Sequence, residues 1–227
     1  MVRVKICGIT NIRDAHGAIE YGTDALGFIF YPKSPRYVPP EEAKEMIQKL
    51  PREMIRVGVF VNQEIEKVKE IARFCDLTLI QLHGDESPQY CSEFPISCLI
   101  KAASLQSEED VQKIKDYPVG AILVDAYKPG CYGGTGKISD WRLARKVKEA
   151  HQLILAGGLN TENIREAIEA VRPQAVDINS GVEISPGKKD HEKIRKIIES
   201  VRKVEHVLRQ EDEFSDKRKI PAKIFTG

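Results

Sequence analysis

No apolar run in this 227-residue chain approaches the roughly 18 residues that a membrane-spanning helix needs, so no span is expected. The N-terminus also lacks the apolar stretch and small-residue cleavage site of a secretory signal, which points to a cytoplasmic protein. Charge of one sign is missing as well: 35 basic residues face 34 acidic ones. A net charge of +1 gives no chain-wide field to gather nucleic acid or an anionic membrane, and neither is expected as a partner.

Cysteine is sparse. The five (Cys7, Cys75, Cys91, Cys98 and Cys131) form no CxxC pair and no metal-ligand spacing with the five histidines. Such a set suits a reducing compartment, where Cys75, Cys91 and Cys98 read as small buried hydrophobes. Signature motifs are missing too. There is no Walker loop, no H-E-x-x-H and no Ser-His-Asp order. The first turn, Cys7-Gly8-Ile9-Thr10, is not the GxGxxG of a dinucleotide fold. The sequence therefore implies no metal and no cofactor.

What is present is alternation. Short β-branched runs at residues 2–7, 24–30, 55–61, 77–83, 97–102, 120–125, 152–156 and 175–179 read as strands. Between them lie amphipathic stretches such as 41–50, 64–74, 108–116, 140–149 and 161–171, which read as helices. Asn11, Ser107, Ser139 and Asn160 stand where N-caps belong, and Pro40 stands where a first helical residue is favourable. Without hairpin turns between them, eight β-then-α units imply parallel strands joined by helical crossovers. Eight strands close into a (β/α)8 TIM barrel, an α/β fold; the alternative, a doubly wound open sheet, usually has fewer strands. The barrel should fill residues 1–204 as a single domain. Residues 205–227 read as a short charged C-terminal extension: a continuation of the last helix, then an irregular segment. Phe214, Ile220, Ile224 and Phe225 give it the means to pack as a cap.

Barrel chemistry gathers at the C-terminal ends of strands and in the loops after them. That places Cys7 at the end of the first strand, His83 at the end of the fourth, and Lys101 near the end of the fifth. Asp125 ends the sixth strand and Asp177 lies near the end of the eighth. Arg36 sits in the long loop after the second. Gly133, Gly134 and Gly136 follow the sixth strand, Gly157 and Gly158 the seventh, and Ser180 and Gly181 the eighth. Glycine pairs also close ordinary tight turns. Pairs after both the seventh and eighth strands, however, mark the place where barrels hold phosphate on backbone N–H groups. A thiol and a carboxylic acid at one mouth suit proton transfer in both directions. The residues alone thus describe an acid–base enzyme acting on a small phosphorylated molecule.

The chain resembles the phosphoribosylanthranilate isomerases at KICGIT (5–10), GFIFYPKSPRYV (27–38), RVGVFVN (56–62) and IQLHGDE (80–86). The match continues at GGTGK (133–137), LAGGLNTENI (155–164) and SGVEISPGKKDH (180–191), in order over residues 1 to about 204. The resemblance implies a TIM barrel that converts N-(5-phosphoribosyl)anthranilate to 1-(2-carboxyphenylamino)-1-deoxyribulose 5-phosphate in tryptophan biosynthesis. It implies Cys7 as base, Asp125 as acid and Arg36 as the holder of the anthranilate carboxylate. His83 at the mouth and the phosphate residues Gly157, Gly158, Ser180 and Gly181, read from their places in the barrel, complete the candidate substrate-binding set. Two positions depart from the pattern: Ser139 stands before Asp140-Trp141 where phenylalanine is common, and Asn179-Ser180 replaces a serine pair.

Strand parity separates Asp177 from the acid role. Lys5 and Cys7 share one face of the first strand, and Asp177 should face inward beside them. A lysine inside a barrel needs a counter-charge, so a Lys5–Asp177 pair is expected, with Lys5 also favouring the Cys7 thiolate. Rival functions make other demands. The Amadori isomerase of histidine biosynthesis would be expected to carry aspartate where Cys7 stands. A Schiff-base aldolase would use Lys101. A scaffold role would rest on the basic cluster Lys217, Arg218 and Lys219. The oligomeric state stays open between monomer and homodimer.

Overall fold

In the computed structural model, the described residues are 1–126 and 139–218, with side chains through residue 211. The Gly133–Gly136 cluster, Cys131, Lys219, Ile220, Ile224 and Phe225 lie outside what is described, as do the side chains of Phe214, Lys217 and Arg218.

Eight parallel strands close into a barrel in sequence order: β1 (Arg3–Ile6), β2 (Ala25–Ile29), β3 (Ile55–Phe60), β4 (Leu79–Leu82), β5 (Leu99–Ser104), β6 (Ala121–Asp125), β7 (Gln152–Leu155) and β8 (Ala175–Ile178). Closure is made by β1 pairing with β8, where Lys5 stands opposite Asp177. Side chains alternate as the pleat requires. Ala25, Val57, Ile100, Leu123 and Ile154 fill the barrel interior. Leu26, Phe28, Phe60, Leu82, Ile122 and Val176 turn outward into the core shared with the helices.

The outer layer comprises α1 (Ile12–Glu20), α2 (Pro40–Ile47), α3 (Ile65–Phe74), α4 (Pro88–Cys91), α5 (Glu108–Ile114), α6 (Trp141–Val147), α7 (Ile164–Val171) and α8 (His191–Arg218). Asn11 caps α1, Ser107 forms a capping box with Asp110 on α5, and Pro40 opens α2. Between β8 and α8 lies a small hairpin, β9 (Glu183–Ser185) and β10 (Lys188–Lys189). Among the described residues, no helix is long and apolar enough to cross a membrane.

Several local expectations shift. The cap of α6 is Asp140, whose Oδ1 accepts from the N–H groups of Arg142 and Leu143. The Ser139 hydroxyl donates instead to the Ala156 carbonyl. Asn160 accepts from the N–H groups of Glu162 and Asn163, so it caps the turn leading into α7, and the helix begins after Asn163. Ser97 and Cys98 belong to a 3₁₀ turn that follows Pro95, and β5 starts two residues later than expected. Proline's fixed φ favours that tight turn over an extended entry. Cys98 is only half-buried, with its thiol donating to the Pro95 carbonyl, whereas Cys75 and Cys91 are buried.

Candidate active site

The C-terminal mouth of the barrel opens into a cavity of about 330 Å³. Its wall includes Cys7, Arg36, His83, Asp125, Gly157, Gly158, Ser180 and Gly181, each from a different strand end or βα loop or from a pair of neighbours. These residues, together with Asp177, therefore meet in one place; of the described strand-end candidates, Lys101 alone stays outside it.

Cys7 follows β1 directly and is 4% exposed. Room for it comes from Gly27 on β2: a Cβ there would sit 2.7 Å from the Cys7 sulfur and 3.1 Å from Lys5 Cε. Lys5 Nζ lies 3.0 Å from both carboxylate oxygens of Asp177, the interior pair that parity predicted. Burial pushes the Cys7 thiol above its ordinary range; Lys5 pulls the other way through its charge and a hydrogen bond, and burial wins. Lys5 thus favours the thiolate as expected without bringing the thiol below its ordinary value. Lys189 adds a smaller downward pull.

Asp125 ends β6, three strands from β1 in the ring through β8 and β7. One oxygen accepts from the N–H of Ala126 at 2.7 Å, and the other lies 3.2 Å from His83 Nε2. His83 Nδ1 is 2.8 Å from the Gln81 amide nitrogen, a donor, so in this arrangement Nδ1 accepts and Nε2–H points at the carboxylate. His83 is thus a cavity-wall residue held against Asp125.

Arg36, in the loop after β2, is buried and meets Glu183 on β9 side by side: Nε at 2.9 and 3.1 Å, Nη2 at 2.7 Å. On the same cavity's wall, Gly157 and Gly158 both take positive φ, 82° and 64°, which glycine adopts without strain. Neither of their N–H groups donates to a protein acceptor among the described residues. Gly181 passes so close to the chain after β7 that a Cβ would collide with the Leu159 carbonyl. The two loops form one cradle.

Lys101 corrects an expectation. It lies in the middle of β5, and its ammonium donates to the carbonyls of Gly84 and Ala102 and pairs with buried Glu86 at 3.1 Å. Fully engaged and absent from the cavity wall, it ties strand ends together instead of offering a nucleophile. Two buried residues at the mouth escaped the sequence reading, Glu183 and Lys189. Their signal lay inside SGVEISPGKKDH, but a hairpin of a few residues has no periodicity that tells which side chains turn inward.

The comparisons with known proteins agree with this geometry. Residues 4–200 match the family model described as N-(5'phosphoribosyl)anthranilate (PRA) isomerase. The chain belongs to that family. An N-(5'-phosphoribosyl)anthranilate isomerase of Syntrophus aciditrophicus is 54% identical over 213 residues, covering 94% of this chain and 93% of the relative. The crystal structure of the isomerase from Thermotoga maritima superposes with a TM-score of 0.83 at 45% identity, covering 89% of this chain and 99% of that one. A further isomerase, solved in complex with reduced 1-(o-carboxyphenylamino)-1-deoxyribulose 5-phosphate, gives a TM-score of 0.80 at 44% identity, covering 89% and 99%. The reaction is the Amadori rearrangement of N-(5-phosphoribosyl)anthranilate, a step of tryptophan biosynthesis.

Proposed function

We propose that this barrel runs the rearrangement with Cys7 as base and Asp125 as acid. The observation that carries the assignment is that both groups, almost wholly buried, line one cavity with Arg36 at one wall and the β7–β8 glycine cradle at another. Asp125 gives its proton to the ribose ring oxygen, and the bond from that oxygen to C1 breaks as the anilino nitrogen's lone pair forms the Schiff base. The Cys7 thiolate takes the proton from C2; the C2–H electron pair forms the C1=C2 bond and the C=N π pair returns to nitrogen, which gives the enolamine. Loss of the C2 hydroxyl proton and gain of a proton at C1 complete the ketone.

Gly157, Gly158, Ser180 and Gly181 hold the phosphate through backbone N–H groups, the usual place for it in such barrels. Arg36 holds the ring carboxylate; its planar fork leaves one edge for a second partner beyond Glu183. The ring rests against the apolar wall of Ile29, Tyr31 and Val59. His83 binds substrate beside Asp125. The catalytic unit is residues 1–204, and the remainder is an extension.

The test is an isomerase assay on the purified chain, following the change in anthranilate fluorescence as phosphoribosylanthranilate is consumed. Turnover is expected, and Arg36→Ala should raise the Michaelis constant more than it lowers kcat, because its contact exists in ground and transition states alike. An inert chain would reject the assignment of function. A loss of kcat alone would reject the role of Arg36.

A further inference from the structure

A lysine behind the arginine has no part in the scheme above. Lys189 on β10 has a side chain 0% exposed. Its ammonium donates to the Asn179 carbonyl at 3.2 Å, to Asn179 Oδ1 at 3.0 Å and to Glu183 Oε1 at 2.9 Å. Three acceptors meet three N–H donors, the full set of a protonated ammonium; a neutral amine has only two. Glu183 is therefore shared between two cations, Arg36 and Lys189. Arg36 and Glu183 alone would form a neutral pair. A buried guanidinium already neutralised by one carboxylate attracts a second carboxylate weakly. Lys189 brings the group of three to a net charge of +1.

We propose that Lys189 is a specificity-determining residue: it supplies the buried charge that keeps Arg36, already bonded to Glu183, able to hold the substrate's ring carboxylate. Lys189 does not line the cavity and acts through Glu183 and Arg36. This inference rests on the assignment of Arg36 to that carboxylate. A lysine that merely tied the hairpin to Asn179 would affect every ligand of the site alike.

The experiment measures the affinity of the full chain for two probes. One is reduced 1-(2-carboxyphenylamino)-1-deoxyribulose 5-phosphate; the other is its counterpart with phenyl in place of carboxyphenyl. Arg36→Ala sets the scale and should weaken the carboxylated probe about 10- to 100-fold while changing the other little. Lys189→Met should weaken the carboxylated probe selectively, on the order of 10-fold. In Lys189→Met/Glu183→Gln, a lone Arg36 carries +1 again, and most of that affinity should return. Glu183→Gln alone leaves two cations and should bind the carboxylated probe at least as tightly as the unaltered chain, a check that does not need Lys189→Met to fold. Equal losses for both probes in Lys189→Met would overturn the proposal. So would a selective loss that Glu183→Gln does not restore, or a selective loss in Glu183→Gln alone. If Arg36→Ala treats the two probes alike, the assignment of Arg36 fails and this inference falls with it. That outcome is distinct from a failure confined to Lys189.

Discussion

Cys7 sits between opposed influences. Burial favours the neutral thiol, whereas Lys5 and Lys189 favour the thiolate. The balance makes the rate depend on the base form, so kcat/KM should rise with pH as the thiol ionises. Removing Lys5 should move that limb to higher pH, since its charge and hydrogen bond both lower the thiol's pKa. Lys5→Met alone would strand the Asp177 carboxylate in the barrel, a change that typically costs about 3–5 kcal/mol. The informative variant is therefore Lys5→Met/Asp177→Asn. Asp177 raises the Cys7 pKa by less than Lys5 lowers it, so the limb should still shift upward. Iodoacetamide reactivity at Cys7, measured with Cys131 replaced, should shift in parallel; an unchanged profile would remove Lys5 from the account. Much at this scale was legible in the sequence. The period of two along β1 put Lys5 and Cys7 on one face, and closure of the ring put Asp177 beside them. The contact of His83 with Asp125 was not legible, because it joins residues 42 apart whose side chains meet only once the barrel closes.

At the scale of elements, β-branched runs located all eight strands, and errors gathered at their ends. Pro95 displaced the start of β5, and two helix starts moved: Asp140 caps α6 while Ser139 bonds the Ala156 carbonyl, and α7 begins after Asn163, one turn beyond Asn160. The hairpin β9–β10 was invisible, yet it carries Glu183 and Lys189. The last helix shows both the reach and the limit of pattern reading. Its extension beyond residue 204 was expected from the sequence, but the attachments there were not. Buried Glu205 meets the Met1 ammonium at 3.2 Å and Arg209 at 2.9 Å, and Leu208 packs on the core. Truncation after Val204 removes these contacts far from the mouth. The truncated chain should melt at a lower temperature, with kcat and KM close to those of the full chain. A collapse of kcat in a truncated barrel that still folds would place the extension in the active site.

Across the whole molecule, ion pairs buried near the mouth tie α1, the loop after β2, the hairpin and the start of α8 together. Asp14 accepts from the Lys189 N–H at 2.9 Å, from His191 at 2.8 Å and from Asn11 at 2.8 Å. Burial raises its carboxyl, but these hydrogen bonds outweigh it and hold the pKa below the ordinary 3.8. Burial raises Glu183 likewise, and Arg36 with Lys189 brings it below 4.5. A carboxyl depressed in the folded state contributes stability that is present above its unfolded pKa and lost as pH falls through the folded one. The melting temperature should therefore fall as pH drops below about 4, and Asp14→Asn should flatten that fall. A melting temperature independent of pH there would deny these pairs a net role.

The central claim is that one thiol and one carboxyl, brought to a common cavity by β1 and β6, carry the proton transfers. Single-turnover isomerisation by Cys7→Ala and by Asp125→Asn, read by anthranilate fluorescence, tests it most directly. Each variant should lose about 100- to 10,000-fold in rate with a far smaller change in substrate affinity. Near-normal turnover by Cys7→Ala would reduce the thiol to a packed core residue and contradict the account.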